Sequence, residues 1–280
     1  MIAAGLTHLA FAETPEPHVP KTVSAGSTFA MSTSGQGRAT LYLLGPSHAL
    51  KRTIELGREQ QVSGADIDAS GLYQVVVCNT DGCGNTSLQV LPAAPARVNF
   101  FLHPSRVPVS TSGAIGATAI VFDRYKNLVL DSAKVDFRLT LPDGPSSTRS
   151  VQTVRGIAWF SLDSRPKQGK LQVVASVDGT SEPRVIQQVA SEACGLRMTA
   201  TPSGNSVILQ TDPVRDCTGN ALPDGTIISF TKIDGAGTST VDTPIKKDRA
   251  VAKFQVSGPS RISVACGAVV GNEISTGGTR

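Results

Sequence analysis

A block of sequence that occurs twice constrains this chain more than its composition does. Asp123-Arg-Tyr-Lys-Asn127-Leu-Val-Leu-Asp131-Ser-Ala-Lys-Val-Asp-Phe137 lies over Asp216-Cys-Thr-Gly-Asn220-Ala-Leu-Pro-Asp224-Gly-Thr-Ile-Ile-Ser-Phe230 at a spacing of 93 residues. Further on, Gly156-Ile-Ala-Trp-Phe160 lies over Ala250-Val-Ala-Lys-Phe254 at 94, and Leu171-Gln-Val-Val-Ala175 over Ile262-Ser-Val-Ala-Cys266 at 91. Blocks that recur in one order with small length changes mark copies of one folding unit. The copies run over 96–191 and 192–280, each close to the size of one sandwich domain. A third unit, 22–92, precedes them and is joined through Pro92-Ala-Ala-Pro95, a stiff spacer.

Inside the units, short β-branched or alternating runs such as Leu72-Tyr-Gln-Val-Val-Val-Cys78, Arg97-Val-Asn-Phe-Phe-Leu102 and Thr226-Ile-Ile-Ser-Phe-Thr231 are separated by Gly, Pro, Asn and Asp. Such runs read as strands. No long stretch carries helical periodicity, so the expected class is all-β, built as tandem antiparallel sandwiches. The Asp-x-x-Gly-Asn element of the repeat reads as a tight turn. Gly and Asn tolerate positive φ, and the Asp carboxylate accepts backbone N–H groups that the turn leaves open. Asp123, Asn127, Asp131, Asp216, Asn220 and Asp224 are therefore expected to be structural turn residues.

The two copies resemble bacterial immunoglobulin-like domains of the invasin and intimin type, whose repeat runs D-x-x-G-N-x-[VL]-x-[DG], then G-x-A-x-[FV], then [VI]-x-V-x-A. The third unit carries the resemblance through Asp216, Gly219, Asn220, Pro223, Asp224 and Gly225; the second has Lys126 and Leu130 where the glycine and proline stand. The resemblance implies an immunoglobulin-like sandwich in each copy and a role in adhesion, binding or spacing at the bacterial envelope. The first unit is similar to an immunoglobulin-like sandwich through Asp68-Ala-Ser-Gly71-Leu-Tyr73, which resembles a tyrosine corner. Tyr73 is then expected to pin the turn before its strand.

Met1 to Ala12 is an apolar run ending in Ala10-Phe11-Ala12, which reads as a signal peptide without the usual basic start. It places the chain in the periplasm, at the cell surface or outside the cell. Five cysteines without C-x-x-C spacing fit an oxidising compartment. Cys78 and Cys83 flank a short hairpin loop and are expected to pair, since facing strand positions lie within disulfide reach. Cys194, Cys217 and Cys266 share the third unit, at one pole of a sandwich of this topology. Cys217 with Cys266 is the first pairing expected, Cys194 with Cys217 the second.

Candidate chemistry is thin. Asp66-Ile-Asp68-Ala-Ser70-Gly71 has the start of a calcium loop but meets Val77 where the bidentate Glu should be, so a turn is the simpler reading. Nucleotide, zinc-protease and nucleophile-elbow motifs are missing, and no catalytic residue, cofactor or metal is expected. An enzyme would need acids or histidines converging in a pocket. Residues 96–191 carry twelve Lys and Arg against seven acids, the one basic unit of the three. Without a recognition element this does not read as nucleic-acid binding, and attraction to an anionic surface polymer is the more natural use of the field. The expected partner is a protein or glycan at the envelope, contacted without a membrane-spanning segment. A carbohydrate-binding module, the rival reading beside an accessory subunit of an envelope assembly or secreted enzyme, calls for coplanar exposed aromatics on one face. Trp159, the chain's single tryptophan, is the one candidate platform.

Overall fold

The computed structural model describes residues 14–141 and 144–277. The expected leader, 1–12, lies outside the described residues. The fold is three β-sandwiches in a row, each around its own hydrophobic core.

The first sandwich contains β1 (Pro17–His18), β2 (Thr22–Ser24), β3 (Phe29–Thr33), β4 (Gly37–Leu44), β5 (Ala49–Leu56), β6 (Gln60–Val62), β7 (Gly71–Cys78) and β8 (Cys83–Leu91). One sheet has the order β1-β3-β6 and the other β2-β8-β7-β4-β5. Between β6 and β7 runs a single 3-10 turn, Gly64–Asp66, capped by the Ser63 hydroxyl.

The second sandwich contains β9 (Pro95–His103), β10 (Arg106–Pro108), β11 (Ile115–Asp123), β12 (Lys134–Thr140), β13 (Ser147–Gln152), β14 (Ile157–Leu162), β15 (Gly169–Val177) and β16 (Thr180–Val189). Its sheets are β14-β11-β9 and β10-β16-β15-β12-β13. Alternation decides which side chains enter the core: along β9, Val98, Phe100 and Leu102 are buried while Arg97, Asn99, Phe101 and His103 face water. Phe137 from β12 packs between Phe100, with ring centroids 5.6 Å apart, and Phe160 at 4.8 Å. Truncating such a ring costs about 3–5 kcal/mol.

The third sandwich repeats the plan with β17 (Met198–Ser203), β18 (Ser206–Thr211), β19 (Ile227–Asp234), β20 (Gly237–Pro244), β21 (Val251–Gln255), β22 (Ser260–Cys266) and β23 (Val269–Thr276). Its sheets are β17-β18-β21 and β20-β19-β22-β23. Phe230 takes the place of Phe137 at the centre of the core.

Candidate functional site

The turn acids and amides of the repeat do more than close their own loops. Asp123 is fully buried at the end of β11. Its Oδ1 accepts the N–H of Tyr125 at 2.9 Å and of Asn127 at 2.8 Å, which is the turn expected from the sequence. Its Oδ2 accepts the N–H of Ala93, 2.9 Å away in the spacer, and the side-chain amide of Asn127 at 2.8 Å. Thus aligned, Asn127 reaches the first sandwich: its Oδ1 accepts Ser70 N–H at 2.8 Å and its Nδ2 donates to Asp68 O at 2.7 Å. The amide thus makes a two-bond bridge to the backbone on either side of Ala69.

The same joint occurs again one repeat on. Asp216 Oδ1 accepts Thr218 N–H and Asn220 N–H, both at 2.9 Å, and Oδ2 accepts Ser191 N–H at 3.1 Å and Asn220 Nδ2 at 3.0 Å. Asn220 Oδ1 accepts Gln168 N–H at 2.9 Å, and its Nδ2 donates to Pro166 O at 2.7 Å. Burial is the largest single influence on the Asp216 carboxyl and opposes its ionisation. Hydrogen bonds from the Asn220 side chain and backbone, Thr218 and Ser191 together outweigh it and bring its pKa to about 2.

The first joint closes tightly because Gly26 gives it room. Its φ is 76°, and a Cβ there would stand 1.9 Å from the Tyr125 hydroxyl. Any larger residue would displace the Tyr125 ring from this contact and would strain the left-handed backbone at this position.

Other sequence expectations meet different outcomes. Asp68 and Ser70 enter the first joint through their backbones, which is how the would-be calcium loop is used. Asp131 lies exposed on the surface, and Asp224 accepts Lys247 N–H at 3.0 Å, holding a neighbouring turn. Both oxygens of Asp123 and Asp216 are already engaged, so neither acid presents a free pair of lone pairs to a cation. Tyr73 is fully buried and packs against Gly45, but its hydroxyl forms no hydrogen bond of ordinary geometry. Burial chiefly, and the charge of Asp68 next, raise its pKa, with the Ala69 backbone opposing them. Ring packing places Tyr73 at the corner before β7, with the Ala69 backbone next to its hydroxyl.

Cys78 and Cys83 are bonded across the β7–β8 hairpin, Cα to Cα 4.1 Å. The pairing expected first in the third unit is corrected: Cys217 bonds Cys194, and Cys266 is a free thiol. The reason is local. The entry strand runs antiparallel to the turn, with Ala193 bridged to Asp216 and Cys194 N–H bonded to Arg215 O at 2.8 Å, which sets Cys194 beside Cys217.

A cleft of about 550 Å³ lies beside this second joint, lined by Pro108, Ala190, Glu192, Leu222, Pro223 and Cys266 among others. It is walled mainly by alkyl groups. The thiol of Cys266 is pushed up by burial first and then by Glu192, which makes it a poor nucleophile. Among the described residues no three acids, histidines or cysteines converge as metal ligands would.

No family model matches the sequence, and no curated protein matches it either. Solved structures do. FdeC, an Escherichia coli adhesin, superposes with a TM-score of 0.62 at 14% identity, over 94% of this chain and 96% of that one. Invasin, a bacterial integrin-binding protein, superposes with a TM-score of 0.52 at 14% identity, over 92% of this chain and 58% of that one. The fold is that of tandem immunoglobulin-like β-sandwiches. FdeC is an adhesin and invasin an integrin-binding protein by their descriptions, and among the described residues of this chain no helix is long and apolar enough to cross a membrane.

Proposed function

We propose that the chain is an exported, non-enzymatic surface module of three immunoglobulin-like sandwiches, divided near 92–96 and 190–192, that works as a stiff adhesive arm or spacer at the cell envelope. The observation that carries this reading is the joint made twice from the same two residue types. A flexible tether needs no buried carboxylate tying spacer, turn and neighbouring sandwich together, whereas an arm that presents a contact surface at a set distance does. Two disulfides favour an oxidising compartment. FdeC, an adhesin, and invasin, an integrin-binding protein, share the fold and support an adhesive role by analogy of architecture.

The test is the end-to-end distance distribution of the chain, read by paired spin labels on cysteines placed at the exposed Arg58 and Lys253 of the outer sandwiches, with the free Cys266 replaced by Ser. A single narrow distribution is expected, broadening in the Asn127→Ala, Asn220→Ala double variant. A broad distribution in the unaltered chain would remove the stiff-arm reading.

A further inference from the structure

The outer face of the β14-β11-β9 sheet carries two exposed aromatic rings. Register places Phe101, Thr118 and Trp159 opposite one another in a single row across the three strands. Trp159 is 68% exposed and Phe101 45% exposed, although each sits in a strand whose neighbouring residues are fully packed. Two strand spacings of about 4.8 Å set the two rings roughly 10 Å apart. Between them the middle strand offers Thr118, flanked along the strand by Gly116 on one side and Ile120 on the other. The result is a shallow trough over Thr118 and Gly116 with an aromatic ring on each side, closed toward Arg97 by the row of Ile120 and Ile157.

The fold does not require those rings. In the third sandwich the corresponding row is Thr201, Ile208 and Lys253. That sandwich builds the same sheet with no aromatic on that face. The rings of the second sandwich are an addition to the shared plan, exposed at a cost in solvation that a core position would not incur.

Charge indicates what they meet. No acid faces outward from these strands, since Asp123, the single acid in them, is buried in the joint. Arg97 lies on the same face two rows from Phe101, and Arg155 stands in the turn that leads into β14. Both are exposed, and neither forms an ion pair among the described residues. We infer that this face binds an acidic polysaccharide, whose sugar rings stack on Trp159 and Phe101 while its carboxylates or sulfates meet Arg97 and Arg155. Such a polymer combines flat apolar ring faces with regularly spaced anions, and guanidinium groups hold such anions through paired N–H donors.

This inference deepens the surface-module reading by naming a ligand class. It stands apart from the stiffness of the joints, because a floppy arm with an intact face would still bind and a stiff arm without one would not. Trp159 reports on the face directly, being the only tryptophan in the sequence. Its emission is followed as the full chain is titrated with dextran sulfate, with polygalacturonate and with plain dextran. The expected result is a blue shift with both polyanions, absent with dextran and reversed by salt. Arg97→Ala with Arg155→Ala should weaken binding about tenfold or more. Trp159→Ala and Phe101→Ala, followed by affinity electrophoresis, should abolish retardation while melting as the parent chain does. Failure of both polyanions to shift the emission overturns the inference, as does retardation that survives the loss of either ring. Equal binding of dextran would overturn the acidic class. An emission shift that depends on protein concentration without polymer would assign the face to a second copy instead.

Discussion

The second and third sandwiches grip their predecessors with the same carboxylate and the same amide, yet the residues between those two differ completely: Arg124-Tyr-Lys126 in one, Cys217-Thr-Gly219 in the other. What the joint conserves is geometry. Asp closes the turn and takes a spacer N–H, and Asn spans to backbone on the sandwich before. The intervening positions are then free to add local devices. The second joint adds a disulfide and the Thr218 hydroxyl, 3.0 Å from Pro166 O; the first adds the Tyr125 ring against Gly26. Two joints with one core and different supplements can be broken separately.

The largest effect should come from removing the carboxylates. Asp216→Ala leaves the buried N–H of Asn220 and the half-buried N–H groups of Thr218 and Ser191 without their acceptor, and should destabilise the third sandwich by about 3 kcal/mol. Asp123→Ala should do the same to the second. Hydrogen exchange resolved along the full chain checks both, since protection should fall in the sandwich that carries the substitution and in its spacer first.

The disulfides come next. Replacing Cys194 and Cys217 by Ala opens a bond that closes a separation of 23 residues, and chain entropy gives it about 3 kcal/mol. Opening Cys78–Cys83, with a separation of 5, should cost less, about 2 kcal/mol. Thermal melts of the two pair variants test the order. Alkylation of the unreduced, denatured chain should label Cys266 alone; label on Cys194 would restore the pairing first expected from the sequence.

Acid should then weaken the second joint. The Asp216 carboxyl is held at about 2, below its ordinary 3.8. A depressed carboxylate contributes stability that is present above the unfolded value and lost as pH falls through the folded one. The third sandwich should accordingly lose about 2 kcal/mol between about pH 4 and pH 2. In Asp216→Asn that part of the pH profile should flatten, which stability curves at successive pH values would show.

Much of this architecture is legible in the sequence because it rests on side-chain pattern. Alternation in Arg97-Val-Asn-Phe-Phe-Leu102 announces the strand, and the recurrence of Asp, Asn and Phe announces the repeat. The joint itself is not legible, for a physical reason. Asp68, Ser70, Pro166 and Gln168 contribute backbone groups, so their side chains need share nothing. The turn motif shows one partner of each bridge and hides the other. The cysteine pairing fails for a similar reason, since it depends on the backbone bridge that draws the entry strand along the turn. Phe101 was within reach: with Val98, Phe100 and Leu102 assigned to the core, alternation puts it on the opposite face. Only the register across three strands sets it in line with Trp159.

The smallest predicted effect sharpens the comparison most, because it exchanges the two turns' one backbone difference. Lys126 adopts φ 71° where Gly219 adopts φ 86°, so both copies demand a left-handed residue and only one supplies glycine. A side chain in that region costs about 1 kcal/mol, and glycine gives back part of the gain through the freedom of its unfolded chain. Lys126→Gly should therefore stabilise the second sandwich by about 0.5 kcal/mol, and Gly219→Lys should destabilise the third by a similar amount. Urea midpoints of the two variants would decide it. Opposite shifts of comparable size would mean that Asp and Asn impose one backbone path on both turns. A loss in Lys126→Gly would mean that the lysine side chain is held by a contact worth more than its strain.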